Sequence, residues 1–290
     1  MTLDVDALCA QSAGALEAMR AKIRGLGSAL VAFSGGVDST FVLKIALDEL
    51  GPKVVALTAL SPSVAPDEAE EAKALALQLG ARHQLVESHE LEDPQYASNP
   101  SNRCYFCKSE LYTITDKACA QLGYAAVLDG FNADDKLDHR PGHQAAREHQ
   151  VRSPLAEAGL TKDQIRAWSK RLGLSTWDKP QMACLASRLP YGTAVTAERL
   201  SKVGGAERAV RSLGFKNFRV RFHGDVARLE VAADEYSRLL DPALRLELDR
   251  AIKAQGFQFV ALDLEPFRSG RLNDALRKDE HSHSLPVLAG

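Results

Sequence analysis

The stretch VAFSGGVDST, residues 31–40, gathers two adjacent glycines, hydroxyl side chains and one carboxylate where an apolar run ends and a helical pattern begins. An ordinary strand-to-helix turn needs one cap and one glycine. Gly35 and Gly36 let backbone N–H groups approach a ligand closely and take dihedrals that other residues resist. The helix predicted from Asp38 places its positive end at the same point, which favours a phosphate. Ser34, Ser39 and Thr40 add hydroxyl donors. A carboxylate beside phosphates is repulsive unless a cation lies between them, so Asp38 is a candidate Mg2+ ligand. The stretch lacks the Gly-Lys-Ser/Thr ending of a Walker A loop, which argues against γ-phosphate transfer. Thr58 follows the second predicted strand, where an adenine would lie, and Gly130 follows the fourth; each also reads as a plain turn residue.

Cysteine spacing is the second chemical signal. Cys104-Tyr105-Phe106-Cys107 is a C-x-x-C, and Cys184 stands further along the chain. Four chemistries remain open for these three thiols: plain burial, a redox disulfide, a zinc site, and an iron–sulfur cluster with one open iron position. The flanks Ser-Asn-Arg and Lys-Ser-Glu do not read as core. A closed zinc site would want a second C-x-x-C or a histidine pair at zinc spacing, and the sequence has neither. Cys9 and Cys119 sit inside predicted helices and read as small buried apolar residues. Five cysteines, an odd number, do not suggest a disulfide framework.

A third signal lies in two alternating segments, Asn217 to Phe222 and Val226 to Val231, joined by His223-Gly224-Asp225. A two-residue turn at Gly224-Asp225 sets Arg221 opposite Arg228 and Arg219 opposite Glu230. Phe218, Val220, Phe222, Leu229 and Val231 then share the other face. Like charges directly opposite in a sheet are unfavourable. The arginines therefore splay into water or hold an anion between them by charged hydrogen bonds. Arg268 is a further candidate for the cluster.

These residues need elements to position them. Up to about residue 175, apolar strand-like runs (29–33, 53–57, 83–86, 125–128) alternate with helical patterns (38–50, 66–79, 107–122, 161–173). Near-continuous apolar strands separated by helices predict a parallel, doubly wound α/β sheet. Beyond about residue 190 the order is helix (196–213), hairpin, helix (234–255) and strand (257–262), an α+β unit. The expected domains are therefore 1–190 and 191–290, with the last dozen residues a loosely held tail. The chain has 290 residues, 45% hydrophobic and 26% charged, with a net charge of −2. That is a soluble globular composition. The charge argues against a broad nucleic-acid surface, and no run approaches the ~20 apolar residues of a membrane span. The first residues read as an amphipathic helix with no signal-peptide layout, so the cytoplasm is the expected compartment.

Strand, SGGVDST and helix in register resemble the PP-loop of the ATP pyrophosphatases, which split ATP between the α- and β-phosphates and activate a substrate as its adenylate. Within that superfamily the chain resembles the LarE sulfur transferases of nickel-pincer cofactor synthesis. The matching residues are AFSGGVDST, LDG at 128–130, DHRPG at 138–142, CLASRLPYG at 184–192, VRFHGDVARLE at 220–230 and FRSGRLND at 267–274. The resemblance implies ATP and Mg2+ held by Ser34, Gly35, Gly36, Asp38, Ser39 and Thr40. It implies adenylylation of pyridinium-3,5-biscarboxylic acid mononucleotide and replacement of AMP by sulfur. Some members give up the sulfur of one cysteine. Others carry a C-x-x-C plus one further cysteine and hold a [4Fe–4S] cluster, and Cys104, Cys107 and Cys184 place this chain with them. Arg188 is then a candidate stabiliser of an adenylate or substrate carboxylate, with a surface salt bridge as its plain reading. Ser187 beside it is a candidate substrate contact. Arg219, Arg221 and Arg228, with Glu230, would seat the mononucleotide 5′-phosphate. Expected partners are the pyridinium mononucleotide, sulfide or another sulfur donor, and a second copy of the chain in a homo-oligomer. A tRNA thiolase, an amide-forming synthetase of the NAD type and a non-enzymatic nucleotide-binding module are the rival readings. The first would need a basic groove and the second would not need the cysteines.

Overall fold

The computed structural model describes residues 3–137, 142–180, 183–268 and 270–273. Most of DHRPG, part of FRSGRLND and the expected tail lie outside the described residues. The chain divides into two compact units, Met1–Tyr96 with Asn102–Met182, and Ala97–Ser101 with Ala183–Gly290. No helix among the described residues is long and apolar enough to cross a membrane.

In the first unit the elements are α1 (Val5–Arg24), β1 (Ala29–Ala32), α2 (Val37–Leu50), β2 (Val54–Leu60), α3 (Pro66–Gln78), β3 (Arg82–Glu87), a single turn α4 (Pro94–Ala97), α5 (Arg103–Leu122), β4 (Val127–Leu128), α6 (Gly142–Glu148), α7 (Pro154–Ala158) and α8 (Lys162–Arg171). The strands are parallel in the order β3-β2-β1-β4. Alternation buries both faces. Ala29, Val31, Val54 and Ala56 pack with α1, α2 and α8, while Leu30, Val55, Leu57 and Val127 pack against Ile114, Ala118 and Cys119 of α5. This is the doubly wound sheet the apolar runs predict. The chain leaves β1 for β2 on one side and later returns to β4 on the other. The crevice where a doubly wound sheet binds ligands therefore opens at the carboxyl ends of β1 and β4.

In the second unit, α9 (Ala197–Ser212) precedes β5 (Phe218–His223) and β6 (Val226–Val231), which form the predicted hairpin. Its register is the predicted one, Arg221 opposite Arg228 and Arg219 opposite Glu230. After α10 (Pro242–Lys253), β7 (Phe259–Leu262) adds parallel to β6.

Several helices differ from expectation, each for a local reason. The helix expected over 234–255 is broken: Ala233–Leu240 is 3-10, and α10 restarts at Pro242 with the Asp241 side chain capping Ala243 N–H at 2.8 Å. An Asp cap followed by Pro at the first helical position is a start signal, and it overrides the continuous pattern. The helix expected from Cys107 begins at Arg103, with no side-chain cap at Asn102 to mark it. Helices α6 and α7 are too short to show a period.

Candidate active site

The loop after β1 is built by close backbone approach. Gly35 has φ +67°, and a Cβ there would lie 3.2 Å from Cα and Cβ of Ala72 on α3. A Cβ on Gly130 would lie 3.0 Å from Ser39 N and 3.2 Å from Asp38 Cβ. Gly130, expected as a nucleotide contact, thus packs the loop after β4 against the first turn of α2. Asp129 beside it is buried, accepting from Tyr112 Oη at 2.9 Å and Phe131 N at 3.2 Å. Burial pushes the Asp129 carboxyl up and, with Asp129 alongside, the Tyr112 phenol up.

The hydroxyls divide into two roles. Ser34 and Ser39 knit the loop: their Oγ atoms lie 3.1 Å apart, and Ser39 Oγ donates to Gly36 O at 3.3 Å. Thr40 is fully buried and its Oγ1 has no hydrogen-bond partner. Thr58 donates to Phe33 O at 2.7 Å and lies 2.8 Å from His83 Nε2. Its one proton is spent on the carbonyl, so His83 donates from Nε2. Burial holds the His83 ring below its usual range. Thr58 therefore anchors the end of β1, where an adenine contact was expected.

Asp38 is the charged centre. Its Oδ2 pairs with Lys162 Nζ, while Oδ1 is buried with no partner. Burial raises the Asp38 carboxyl above its ordinary range; Lys162 and, more distantly, Arg166 pull it back. The buried Asp38 carboxylate oxygen without a partner fits a hard cation. Thr40, two residues further along α2, leaves the helix on a different side. Lys162, Arg166 and Lys179 escaped the sequence reading. Lys162 lies in the first turn of α8, capped by Thr161 in a capping box, and the four-residue spacing to Arg166 on one helix face was the available signal. Arg166 holds the carbonyls of Trp177 and Lys179 at 2.7 and 2.8 Å, and Lys179 Nζ reaches Gly35 O at 3.2 Å.

Of the two thiols expected to be buried only Cys9 is; Cys119 is partly exposed, as are Cys107 and Cys184. Cys9 is fully buried and Cys119 packs on the α5 side of the sheet, donating to Tyr124 O; burial raises both thiols. Cys104 is exposed and Cys107 is partly exposed, both in the first two turns of α5, and Cys107 raises the Tyr112 phenol by its charge. Cys184, partly exposed, is in the second unit at the start of a 3-10 turn, Leu185–Arg188. Among the described residues no three His, Cys, Asp or Glu side chains form a metal-binding group.

The Cys184 turn is held by buried charge. Arg188 is 1% exposed and grips Glu207 of α9 with two bonds, 2.8 and 2.9 Å. Its Nη1 donates to Ala183 O, Cys184 O and Ser187 Oγ at 2.6, 3.1 and 3.0 Å. Arg188, expected to face a ligand carboxylate, is bound to a carboxylate of its own chain, and the alternative of a surface salt bridge fails on burial. Ser187 Oγ also turns inward, to Cys184 O at 2.7 Å. On the hairpin, the anion between like charges is Glu230. It is fully buried and bound by Arg221 at 3.2 and 3.0 Å and by Arg228 at 3.1 Å. Arg228 Nε lies 3.3 Å from Asp263 Oδ2, close enough to pair but misaligned for a hydrogen bond. Arg221 Nη1 reaches Ser187 O at 2.9 Å. From the FRSGRLND stretch, Arg271 joins Asp263 at 2.9 Å and Glu230 at 3.5 Å, whereas Arg268 is exposed. Arg219 lies over the Phe267 ring, its guanidinium pushed down to about 10 by burial and then by Arg188.

A family model for NAD synthase matches residues 15–99. This match, with the glycine loop at the switch point, defines an ATP-using enzyme of the PP-loop class. The chain is 41% identical, over 89% of its length and 93% of the relative's, to the pyridinium-3,5-bisthiocarboxylic acid mononucleotide synthase of Lactiplantibacillus plantarum, and it belongs to that LarE family. It is also 47% identical, over 91% of its length and 98% of the relative's, to the uncharacterized protein slr1717 of Synechocystis sp. (strain PCC 6803). A more distant relative, the uncharacterized protein MJ0830 of Methanocaldococcus jannaschii, is 27% identical over 83% of the chain and 90% of its own.

The raised Asp38 carboxyl gives a signed prediction. A folded-state pKa above the unfolded value means that ionised Asp38 costs stability relative to an unperturbed aspartate. The cost is absent below the unfolded carboxylate range, about pH 4, and is complete above the folded pKa. The nucleotide-free Asp38→Asn variant should therefore be as stable as wild type, or more stable, at pH 7. It should gain less stability from Mg2+ with ATP, and lose most turnover. Thermal unfolding with and without Mg-ATP checks this, and a strongly destabilised apo variant would contradict it.

Proposed function

We propose that the protein is an ATP-dependent sulfur transferase that converts the carboxylates of pyridinium-3,5-biscarboxylic acid mononucleotide to thiocarboxylates. The observation that carries this reading is the near-full-length likeness to the Lactiplantibacillus plantarum synthase, joined to an SGGVDS loop without a Walker lysine. A substrate carboxylate oxygen attacks the α-phosphorus, the bond from that phosphorus to the bridging oxygen breaks, and pyrophosphate leaves with the electron pair. Sulfur then attacks the acyl carbon and AMP leaves, giving the thiocarboxylate. Backbone N–H groups of the Gly35-Gly36 loop and the N-terminus of α2 bind the phosphates. Asp38 would hold Mg2+, which supplies charge neutralisation on the leaving pyrophosphate.

Cys104, Cys107 and Cys184 are assigned to sulfur handling. Their exposure and soft thiolate chemistry suit a [4Fe–4S] cluster. The cluster, when bound, would supply sulfide. Arg188 and Ser187 position the Cys184 turn. The mononucleotide phosphate is assigned to Arg219 and Arg228, with Arg221 and Glu230 as the buried frame behind them. An anion there would relieve the depressed guanidinium of Arg219.

Two experiments test these assignments. Under anaerobic reconstitution with iron and sulfide, wild type should show broad visible absorption and form AMP, pyrophosphate and thiocarboxylate. Cys104→Ala, Cys107→Ala and Cys184→Ala should each abolish both the absorption and sulfur transfer, and Cys9→Ala and Cys119→Ala should leave both nearly intact. Sulfur transfer by cluster-free protein whose mass falls by one molecule of hydrogen sulfide would instead identify a sacrificed cysteine. Separately, Arg219→Ala should weaken mononucleotide binding by roughly 1.5–3 kcal/mol, about ten- to a hundredfold, and leave ATP binding unchanged by calorimetry. Unchanged mononucleotide affinity would move the phosphate seat elsewhere.

A further inference from the structure

Two adjacent glycines make the peptide between Gly35 and Gly36 unusually easy to turn over, because neither residue has a Cβ to oppose the change. Its orientation matters for an anion site. In a trans peptide the C=O and the N–H point to opposite sides. One orientation offers the Gly36 N–H to a phosphate, and the flipped one offers the Gly35 carbonyl, which repels it.

The structure holds one orientation from outside the loop. Lys179 Nζ lies 3.2 Å from Gly35 O and 2.9 Å from Glu71 Oε2 on α3. The Gly36 N–H points the other way, 3.4 Å from Ser34 Oγ. That contact is long for a hydrogen bond and easily given up to a phosphate oxygen. Lys179 is itself placed by its own backbone: Arg166 binds the carbonyls of Trp177 and Lys179. Ala72 packs close beside Gly35, 3.2 Å from the position a Cβ there would take.

We propose that Lys179 is a positioning residue of the nucleotide site, holding the Gly35 carbonyl outward so that the Gly36 N–H is presented to the phosphate chain of ATP. The inference rests on the ATP-binding reading of this loop. Arg166 acts one step further out by fixing the segment that carries Lys179, and Glu71 holds the ammonium at the loop rim.

The test uses the full chain, selectively labelled with 15N-glycine, and inorganic pyrophosphate and AMP, each with Mg2+, as probes. Lys179→Met keeps the apolar stem and removes the charge; Lys179→Arg restores a cation. In Lys179→Met, pyrophosphate affinity should fall about tenfold, the size expected for loss of one charged contact, with AMP affinity nearly unchanged. In the same variant without any ligand, the Gly36 amide signal should broaden or split as the peptide samples both orientations. Lys179→Arg should recover both properties. Equal losses for pyrophosphate and AMP would show general distortion and overturn the proposal. So would lost pyrophosphate affinity with an unchanged ligand-free Gly36 signal, which would mean that Lys179 touches phosphate directly. If wild type binds pyrophosphate and Lys179→Met binds it equally well, only this inference fails. If wild type binds neither pyrophosphate nor ATP, the ATP reading fails with it.

Discussion

The first unit depends on how closely backbone can approach backbone at the end of β1. Gly35 sits against Ala72, and Gly130 against Ser39 N and Asp38 Cβ, so close that a Cβ at either position would push its neighbour back. Those two approaches draw α3 and the loop after β4 onto the first turn of α2. That packing fixes where the loop lies, while the orientation of its Gly35–Gly36 peptide is held separately, by Lys179 on the Gly35 carbonyl. The sheet order places the loop at the reversal point, and the two glycines allow the strands' carboxyl ends to close on it.

The second physical theme is how charge is shared out. A Walker loop carries its own lysine. Here the cations come from elsewhere in the chain: Lys162 on Asp38, Lys179 on Gly35, and Arg166 supporting Lys179. The Asp38 carboxyl stays raised despite its lysine, which leaves a local demand for a further cation. The second unit shows the opposite arrangement. Glu207 and Glu230 are buried carboxylates held by arginines in two-bond geometry, and the same arginines donate to backbone carbonyls of the Cys184 turn. Removing one partner of such a pair would strand a buried charge, so these residues read as framework for the turn.

Short-range signals were legible and long-range ones were not. SGGVDST announces its turn and its helix start within ten residues, and the structure has both. The hairpin register followed from one two-residue turn and alternation. By contrast, Lys162 meets Asp38 across 124 residues of sequence, and nothing in periodicity pairs them. Arg188 and Arg221 were read as ligand-facing because their intramolecular partners, Glu207 and Glu230, are contributed by a different helix and by the facing strand. Asp241-Pro242 was a legible helix start hidden inside a longer apolar pattern. The C-x-x-C stood out from core cysteines because its flanks, Ser-Asn-Arg and Lys-Ser-Glu, are polar, whereas Cys184 has apolar neighbours, and spacing alone left four uses open.

The central claim is that a substrate carboxylate is activated by direct attack on the α-phosphorus of ATP. Substrate carrying 18O in both carboxylates, turned over with ATP and a sulfur source in unlabelled water, tests it most directly by mass analysis of the nucleotide product. One 18O should appear in AMP for each thiocarboxylate formed, because the oxygen that attacks phosphorus leaves with AMP when sulfur enters. AMP without label, or label found in inorganic phosphate alongside ADP, would contradict the account.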